Sequence, residues 1–289
     1  MPLGAHLPTS KGFLATLQET RTLGCDCLQI FTKSPRQWNA APLNADMAAQ
    51  FREAWYQSGF GPLVSHDTYL INLAAPDLEV RRKSLNAMVD EIERADALGC
   101  DYLVTHCGAH LQKTDPIVGT VTGLTQLTTS LQEVLARTPD AKVKIALENT
   151  AGQGTTLGGP WEDLATVLAQ LPRERMAVCM DTCHAFAAGH DLKNDLDAEL
   201  AAFEATIGLD MLAIIHLNDS KGELGQRLDR HAHIGEGLIG RDAMQRILTH
   251  PQLRDLPFIL ETPEIETHLL QNLNTVRALR GEPEVAAVS

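Results

Sequence analysis

The sequence predicts a (β/α)8 barrel, an α/β fold with eight parallel strands inside and helices outside. Three observations carry this. Eight short apolar runs recur along the 289 residues, at intervals of roughly 30–45 residues. Between them, apolar residues fall three and four apart, the spacing of helices packed on one face. The length also suits the fold, whose usual size is about 250 residues or somewhat more. A doubly wound open sheet is the competitor. It requires neither eight strands nor a polar residue at the end of nearly every one.

The first strand, residues 3–6, ends at His6. Residues 10–23 show helical spacing at Phe13, Leu14, Leu17 and Leu23, and Gly24 can end that helix. Residues 27–31 form the second strand. Asn44 can cap a helix running to about residue 57. The third strand, 62–65, leads into His66 and Asp67. A long helix over 77–98 is closed by Gly99, and the fourth strand, 102–105, ends at His106. Helix 117–137 leads to strand 143–147 and Glu148; helix 161–171 leads to strand 176–180 and Asp181. Helix 194–207 precedes strand 211–215 and His216. A long loop, helix 241–248, strand 257–260 before Glu261, and helix 264–279 complete the pattern. Residues 1–280 read as one barrel domain and 281–289 as a flexible tail.

No apolar run is long enough to cross a bilayer, and the first residues lack the apolar stretch of a secretory signal. The six cysteines sit in or beside apolar runs without a CxxC pair, which reads as reduced thiols in a cytoplasmic protein. The net charge of −13 argues against a nucleic-acid partner when taken alone. Bound cations change that balance locally, where a phosphate would feel it.

In a barrel the C-terminal strand ends converge on one face. There the sequence places His6, Lys33, His66, His106, Glu148, Asp181, His216 and Glu261. The loops add His184, Asp229 and His231. Setting aside His6, read as a supporting residue, and Lys33, five imidazoles and four carboxylates remain as ligand candidates. Any one of them alone has an ordinary explanation: a strand-end histidine bonded to a loop, or a carboxylate capping a helix. Their concentration at one face does not. Mixed nitrogen and oxygen donors suit zinc or manganese better than magnesium. Nine ligands exceed one ion's needs, so two or three divalent ions are expected. Such a cluster suggests phosphate-ester hydrolysis, one ion activating water and the others neutralising phosphate and leaving oxygens.

Eight stretches, in order along nearly the whole chain, carry a resemblance: GAH at 4–6, FTKSPRQW at 31–38, HDTYLINL at 66–73, LENTAGQG at 147–154, DTCHAFAAGHD at 181–191, HLND at 216–219, DRHAHIGEG at 229–237 and LET at 260–262. With them the chain resembles the endonuclease IV family of apurinic/apyrimidinic endonucleases. The resemblance implies a TIM-like barrel with three zinc ions at the C-terminal face, manganese being acceptable at one site. It implies His66, His106 and Glu148 around one ion. Glu148, Asp181, His216 and Glu261 would surround a second, and His184, Asp229 and His231 a third. Glu261 and Glu148 become the catalytic carboxylates. Arg36, Tyr69 and Leu70 would enter the duplex at the lesion. The implied reaction cuts double-stranded DNA 5′ to an abasic site, leaving a 3′-hydroxyl and a 5′-deoxyribose phosphate, and trims blocked 3′ ends. The chain is expected to act as a monomer.

Two details depart from the family pattern. Cys107 stands where a proline is more usual, and its thiol is a candidate stray ligand or oxidation site. His233 lies two residues from His231 and competes with it as a ligand, though the positions of Gly235 and Gly237 favour His231. Two other readings compete. A metal-dependent sugar isomerase shares the barrel type but needs a dinuclear, carboxylate-rich site with a nearby lysine. A metal-stabilised DNA-binding module would bind lesions without cutting them.

Overall fold

The computed structural model describes residues 1–286. The first half of the chain runs β1 Leu3–His6, α1 Phe13–Thr22, β2 Cys27–Phe31, α2 Ala45–Ser58, β3 Leu63–His66, α3 Leu78–Leu98, β4 Tyr102–His106, α4 Pro116–Arg137 and β5 Lys144–Glu148. The second half runs α5 Trp161–Leu168, β6 Met176–Asp181, α6 Thr182–Ala188, α7 Leu196–Thr206, β7 Leu212–His216, β8 Asp219–Ser220, β9 His231–Ala232, α8 Arg241–Thr249, β10 Phe258–Leu260 and α9 Ile265–Arg280. Eight of the strands close a barrel in the order β1-β10-β7-β6-β5-β4-β3-β2, every pair parallel. The remaining two, β8 and β9, form a small antiparallel hairpin.

Strand alternation explains how a barrel this narrow fills. One face of each strand points inward and carries compact side chains: Cys27, Val64, Val104, Ala146, Ala177, Cys179, Ile214 and Ile259 form the interior cluster. The other face carries residues such as Leu28, Leu63, Leu103, Ile145 and Phe258, which pack beneath the helices. β1 and β2 lie so close that a Cβ on Gly4 would fall on the Cys27 carbonyl. The helix signals read from the sequence act as expected. The Asn44 side chain accepts from Met47 N at 2.9 Å, and Gly59 and Gly99 end α2 and α3 in the left-handed conformation.

The structure adds two elements that the periodicity did not predict. α6 begins directly at Asp181 and is only seven residues long, too short to show a helical stripe. The β8–β9 hairpin has two residues in each strand. Both sit at the barrel mouth and both carry candidate ligands. A register shift between Val178 and Cys179, where β6 meets β7, lies just before Asp181. Such irregularities re-aim strand ends. Beyond α9, Val285 exchanges hydrogen bonds with the Asn274 side chain at 2.9 and 3.0 Å. This part of the expected tail therefore folds back on α9, while residues 287–289 lie outside the described residues. Among the described residues, no helix is long and apolar enough to cross a membrane.

Candidate metal centre

The parallel barrel brings its strand ends to one mouth. β3, β4, β5, β6 and β7 end on His66, His106, Glu148, Asp181 and His216, and Glu261 follows β10 directly. α6 supplies His184, and the hairpin with its preceding loop supplies Asp229 and His231. These nine residues form three groups: His66–His106–Glu148, Glu148–Asp181–His216–Glu261, and His184–Asp229–His231. Within each group the ligand-capable atoms lie within 4.8 Å of one another. Glu148 belongs to two groups, so the first two are contiguous.

Glu148 is the hub. Its Oε2 lies 3.0 Å from His106 Nε2 and 3.3 Å from His66 Nε2, and its Oε1 lies 3.1 Å from His216 Nδ1. Asp181 divides its carboxylate between two tasks. Oδ1 accepts from His184 N at 2.8 Å and caps α6; Oδ2 accepts from Asn218 Nδ2 at 2.7 Å and sits 3.7 Å from His231 Nε2. Helix cap and ligand candidate are therefore one residue. His184 Nε2 faces Asp229 Oδ1 at 3.3 Å.

Electrostatics reflect how tightly opposite charges are packed. Burial opposes the charged forms of His66 and His184, yet the carboxylates around them raise both imidazoles well above their usual range. Burial would likewise lift Glu148, but His106 and His216 hold it well below the ordinary carboxylate range. The same balance depresses Glu261, through His216 and His6. A divalent cation would meet the same negative charge with neutral imidazoles, their ligating form. One buried atom points to this directly. His231 Nε2 has no hydrogen-bond partner and lies 3.7 Å from both Asp181 Oδ2 and Asp229 Oδ1. An unpaired buried nitrogen between two carboxylates is where a cation fits. The donor set, five imidazoles and four carboxylates, matches zinc or manganese.

An outer ring orients these groups, and sequence reasoning missed most of it. The Asn149 side chain makes two bonds to the Asp181 backbone, at 3.1 and 2.7 Å. Asn218 accepts from Glu261 N at 2.9 Å while donating to Asp181. Asp219 anchors the seventh loop. Its carboxylate accepts from the backbone amides of Ser220, Gly235, Gly237, Ile239 and Gly240, at 2.8 to 3.3 Å. A Cβ on Gly237 would fall on Asp219 Oδ1. The loop holding the hairpin in place thus closes on one carboxylate. Asp219→Asn turns an acceptor into a donor facing donors. We expect a loss of about 2–4 kcal/mol in urea unfolding and one fewer divalent ion per chain, lost from the His231 group. Unchanged stability and metal content would contradict this role.

The other candidates stand outside these three groups. His6 Nδ1 lies 3.0 Å from Glu261 Oε1, a supporting contact as expected. Lys33 is buried outside the cluster and pairs with Asp90 at 2.6 Å and Glu91 at 3.5 Å on α3. Cys107 is fully buried against the Glu148 carbonyl at 3.9 Å, and burial pushes its thiol up. It joins no metal-ligating group among the described residues, so the expectation of a stray ligand is corrected. Cys183 instead comes near Asp181 and His231, but its sulfur bonds the Arg230 carbonyl and burial pushes its thiol up to about 12. His233 and His268 approach Glu264, but their rings stack 4.7 Å apart at 26°. An ion must lie in the plane of each ring that ligates it. Stacked rings cannot share one. His231, not His233, joins His184 and Asp229, while His233 Nδ1 lies 3.0 Å from Asn272 Nδ2.

The centre opens into a cleft of about 530 Å³, lined by His66, His106, His184, Asp229, His231 and Glu261 among others. Tyr69 stands on its rim, 68% exposed, with its ring edge-on to Phe31 at 5.5 Å. Tyr69 N donates to the Pro35 carbonyl at 3.1 Å. This bond ties the loop of Tyr69 and the half-buried Leu70 to the loop of the exposed Arg36. The three residues named from the sequence therefore share two joined loops.

The geometry can be set beside known proteins. The model of the xylose isomerase-like TIM barrel family matches residues 17–279. A protein of Chloroflexus aurantiacus strain J-10-fl named "Probable endonuclease 4" is 42% identical over 274 residues, 94% of each chain. The crystal structure of endonuclease IV from Thermus thermophilus superposes with a TM-score of 0.86 at 35% identity, covering 98% of this chain and 100% of that one. A D-tagatose 3-epimerase-like protein also superposes, with a TM-score of 0.71 over 97% of this chain and 96% of its own. At 18% identity it shares the fold alone.

Proposed function

This chain belongs to the endonuclease IV family within the xylose isomerase-like TIM barrels, and we propose that it hydrolyses the DNA phosphodiester 5′ to an abasic site. The products would be a 3′-hydroxyl and a 5′-deoxyribose phosphate, with trimming of blocked 3′ ends as a second activity. One observation carries the reading: three ligand groups, the first two joined at Glu148, meet at the floor of an open cleft.

Three zinc ions would be held by the three groups, with Glu148 bridging the first two. When bound, they supply Lewis acidity to the phosphodiester and bring the ionisation of water near neutral pH. The chain's own residues do the rest. Glu148 is fully buried, so it holds the cluster together and does not touch DNA. Glu261 is the carboxylate of the second group that reaches the cleft, its side chain 19% exposed. We read its carboxylate as the group that would orient the attacking water and take its proton. Arg36, Tyr69 and Leu70 enter the duplex from the rim while the abasic sugar turns into the cleft. Unstacking a base pair step requires a few kcal/mol, and less where a base is missing. Specificity then needs no base reading, because a sugar without a base fits where a nucleotide does not. Bound cations would partly answer the objection from the net charge of −13, since phosphate meets the local field first.

The sugar isomerase alternative calls for a lysine at the site. Lys33, the strand-end lysine, is engaged with Asp90 and Glu91 away from the cleft. The deciding assay is a zinc-loaded duplex oligonucleotide with one abasic site. Incision leaving a 3′-hydroxyl supports the proposal; no incision, with turnover of a ketose, overturns it. In the same assay Tyr69→Ala is expected to lower kcat/KM by roughly 10–100-fold, the loss of one stacking contact of ~1–3 kcal/mol, with metal content unchanged. Wild-type incision by this variant would remove Tyr69 from the DNA-contacting set.

A further inference from the structure

We propose that Gln29 is a positioning residue that sets the tautomer of His216 and the direction of Glu261, so that both face the second ligand group. The inference rests on reading that group as metal-binding. Gln29 lies on β2, one alternation beyond Cys27, and points into the barrel beneath the cluster, fully buried. Its amide is used at both ends. Oε1 lies 2.8 Å from His216 Nε2. Nε2 donates to Glu261 Oε1 at 2.6 Å and reaches His6 Nδ1 at 3.0 Å.

The amide has one workable orientation. Turned over, its oxygen would face the Glu261 carboxylate at the shortest of these distances, acceptor against acceptor. With the oxygen toward His216, that imidazole must carry its proton on Nε2, because an amide oxygen only accepts. The lone pair then sits on Nδ1, which lies 3.1 Å from Glu148 Oε1 and 3.3 Å from Glu261 Oε2. This is the nitrogen a divalent ion in the second group needs.

His216 is the exception among its neighbours. In His66, His184 and His231 the Nδ1 atom meets a backbone carbonyl, of Asp67 at 2.9 Å, Asn149 at 3.1 Å and Glu261 at 2.9 Å. Those rings receive their tautomer from the main chain, with Nε2 left to face ligands. The His216 ring is reversed. A side chain gives it the instruction that carbonyls give the others, and that side chain is Gln29.

The test uses the full chain stripped of metal and titrated with zinc against a competing chelator. Wild type is expected to take up three ions. Gln29→Met keeps the side-chain length but loses both amide functions. It should weaken one ion by about 10–100-fold and leave the other two unchanged. Three ions at wild-type affinity in that variant would overturn the proposal. Histidine ¹⁵N spectra of the wild type test it even if the variant fails to fold. At alkaline pH, where the rings are neutral, His216 should read as the Nε2–H tautomer, while His66, His184 and His231 read as Nδ1–H. An Nδ1–H signature for His216 would overturn the proposal. Failure of the wild type to bind zinc would instead overturn the reading of the site, which the spectra do not depend on.

Discussion

Replacing Glu148 by glutamine is expected to reduce abasic-site incision by at least about 1,000-fold and to lower metal content by one or two ions per chain. The side chain keeps its length, so packing should survive. What changes is what faces the histidines. His66 and His106 converge on Oε2, and His216 and His184 converge on Oε1 at 3.1 and 3.4 Å. In glutamine one of these oxygens becomes an NH2 group aimed at imidazole nitrogens. One unit of negative charge also disappears from a fully buried point. An ion in either of the first two groups would lose a ligand and a countercharge together. The measurement pairs incision kinetics with metal analysis of the purified variant, and circular dichroism to check the fold. A folded variant holding three ions and cutting at the wild-type rate would show that Glu148 is not the bridge.

The candidate groups at the mouth were legible in the sequence because the barrel makes them so. An apolar strand that stops on a histidine or carboxylate carries a signal that survives without any tertiary information. Seven strands with this habit point to one mouth. Lys33, placed near these ends but set aside as a ligand, lies two residues past the end of β2, where the chain has left the strand and turned toward α3. α6 was invisible for a different reason: seven residues hold barely two turns, and its cap Asp181 was already claimed as a ligand. The amide residues were harder still. Asn149, Asn218 and Gln29 are common residue types whose value lies wholly in their partners. Gln29 alone left a trace, a polar residue in the inward register of an otherwise apolar strand, two positions after Cys27. Asp219 read as a loop residue, yet it holds the loop by five backbone amides, which no spacing rule reveals.

Chelation should destabilise the protein as well as silence it, and the effect should grow with pH. Ions that bind only the folded chain stabilise it by mass action, about 4 kcal/mol when free metal is 1,000 times its dissociation constant. Their removal is therefore expected to lower Tm by roughly 10 °C at mildly alkaline pH. The pH trend follows from what remains. In the chelated protein, His66, His184 and His216 face carboxylates, and these contacts outweigh burial and raise the imidazoles well above 6.5. A raised histidine contributes stability that is present below the unfolded value and is lost as pH climbs through the folded one. Glu148 and Glu261 are depressed below 4.5 by the same contacts. Their contribution is present above 4.5 and is lost as pH falls. The chelated protein is thus best held between about pH 4.5 and 6.5, where imidazolium protons stand in for the cations. The metal-loaded protein runs the other way in this range, because ligands must shed protons to bind and affinity rises with pH. The difference in Tm with and without chelator should therefore be small near pH 5.5 and large near pH 8. Thermal scans across that range measure it directly. A difference that stays flat or shrinks as pH rises would mean that protons and cations do not compete for these imidazoles, and the three-group cluster would lose its chemical basis.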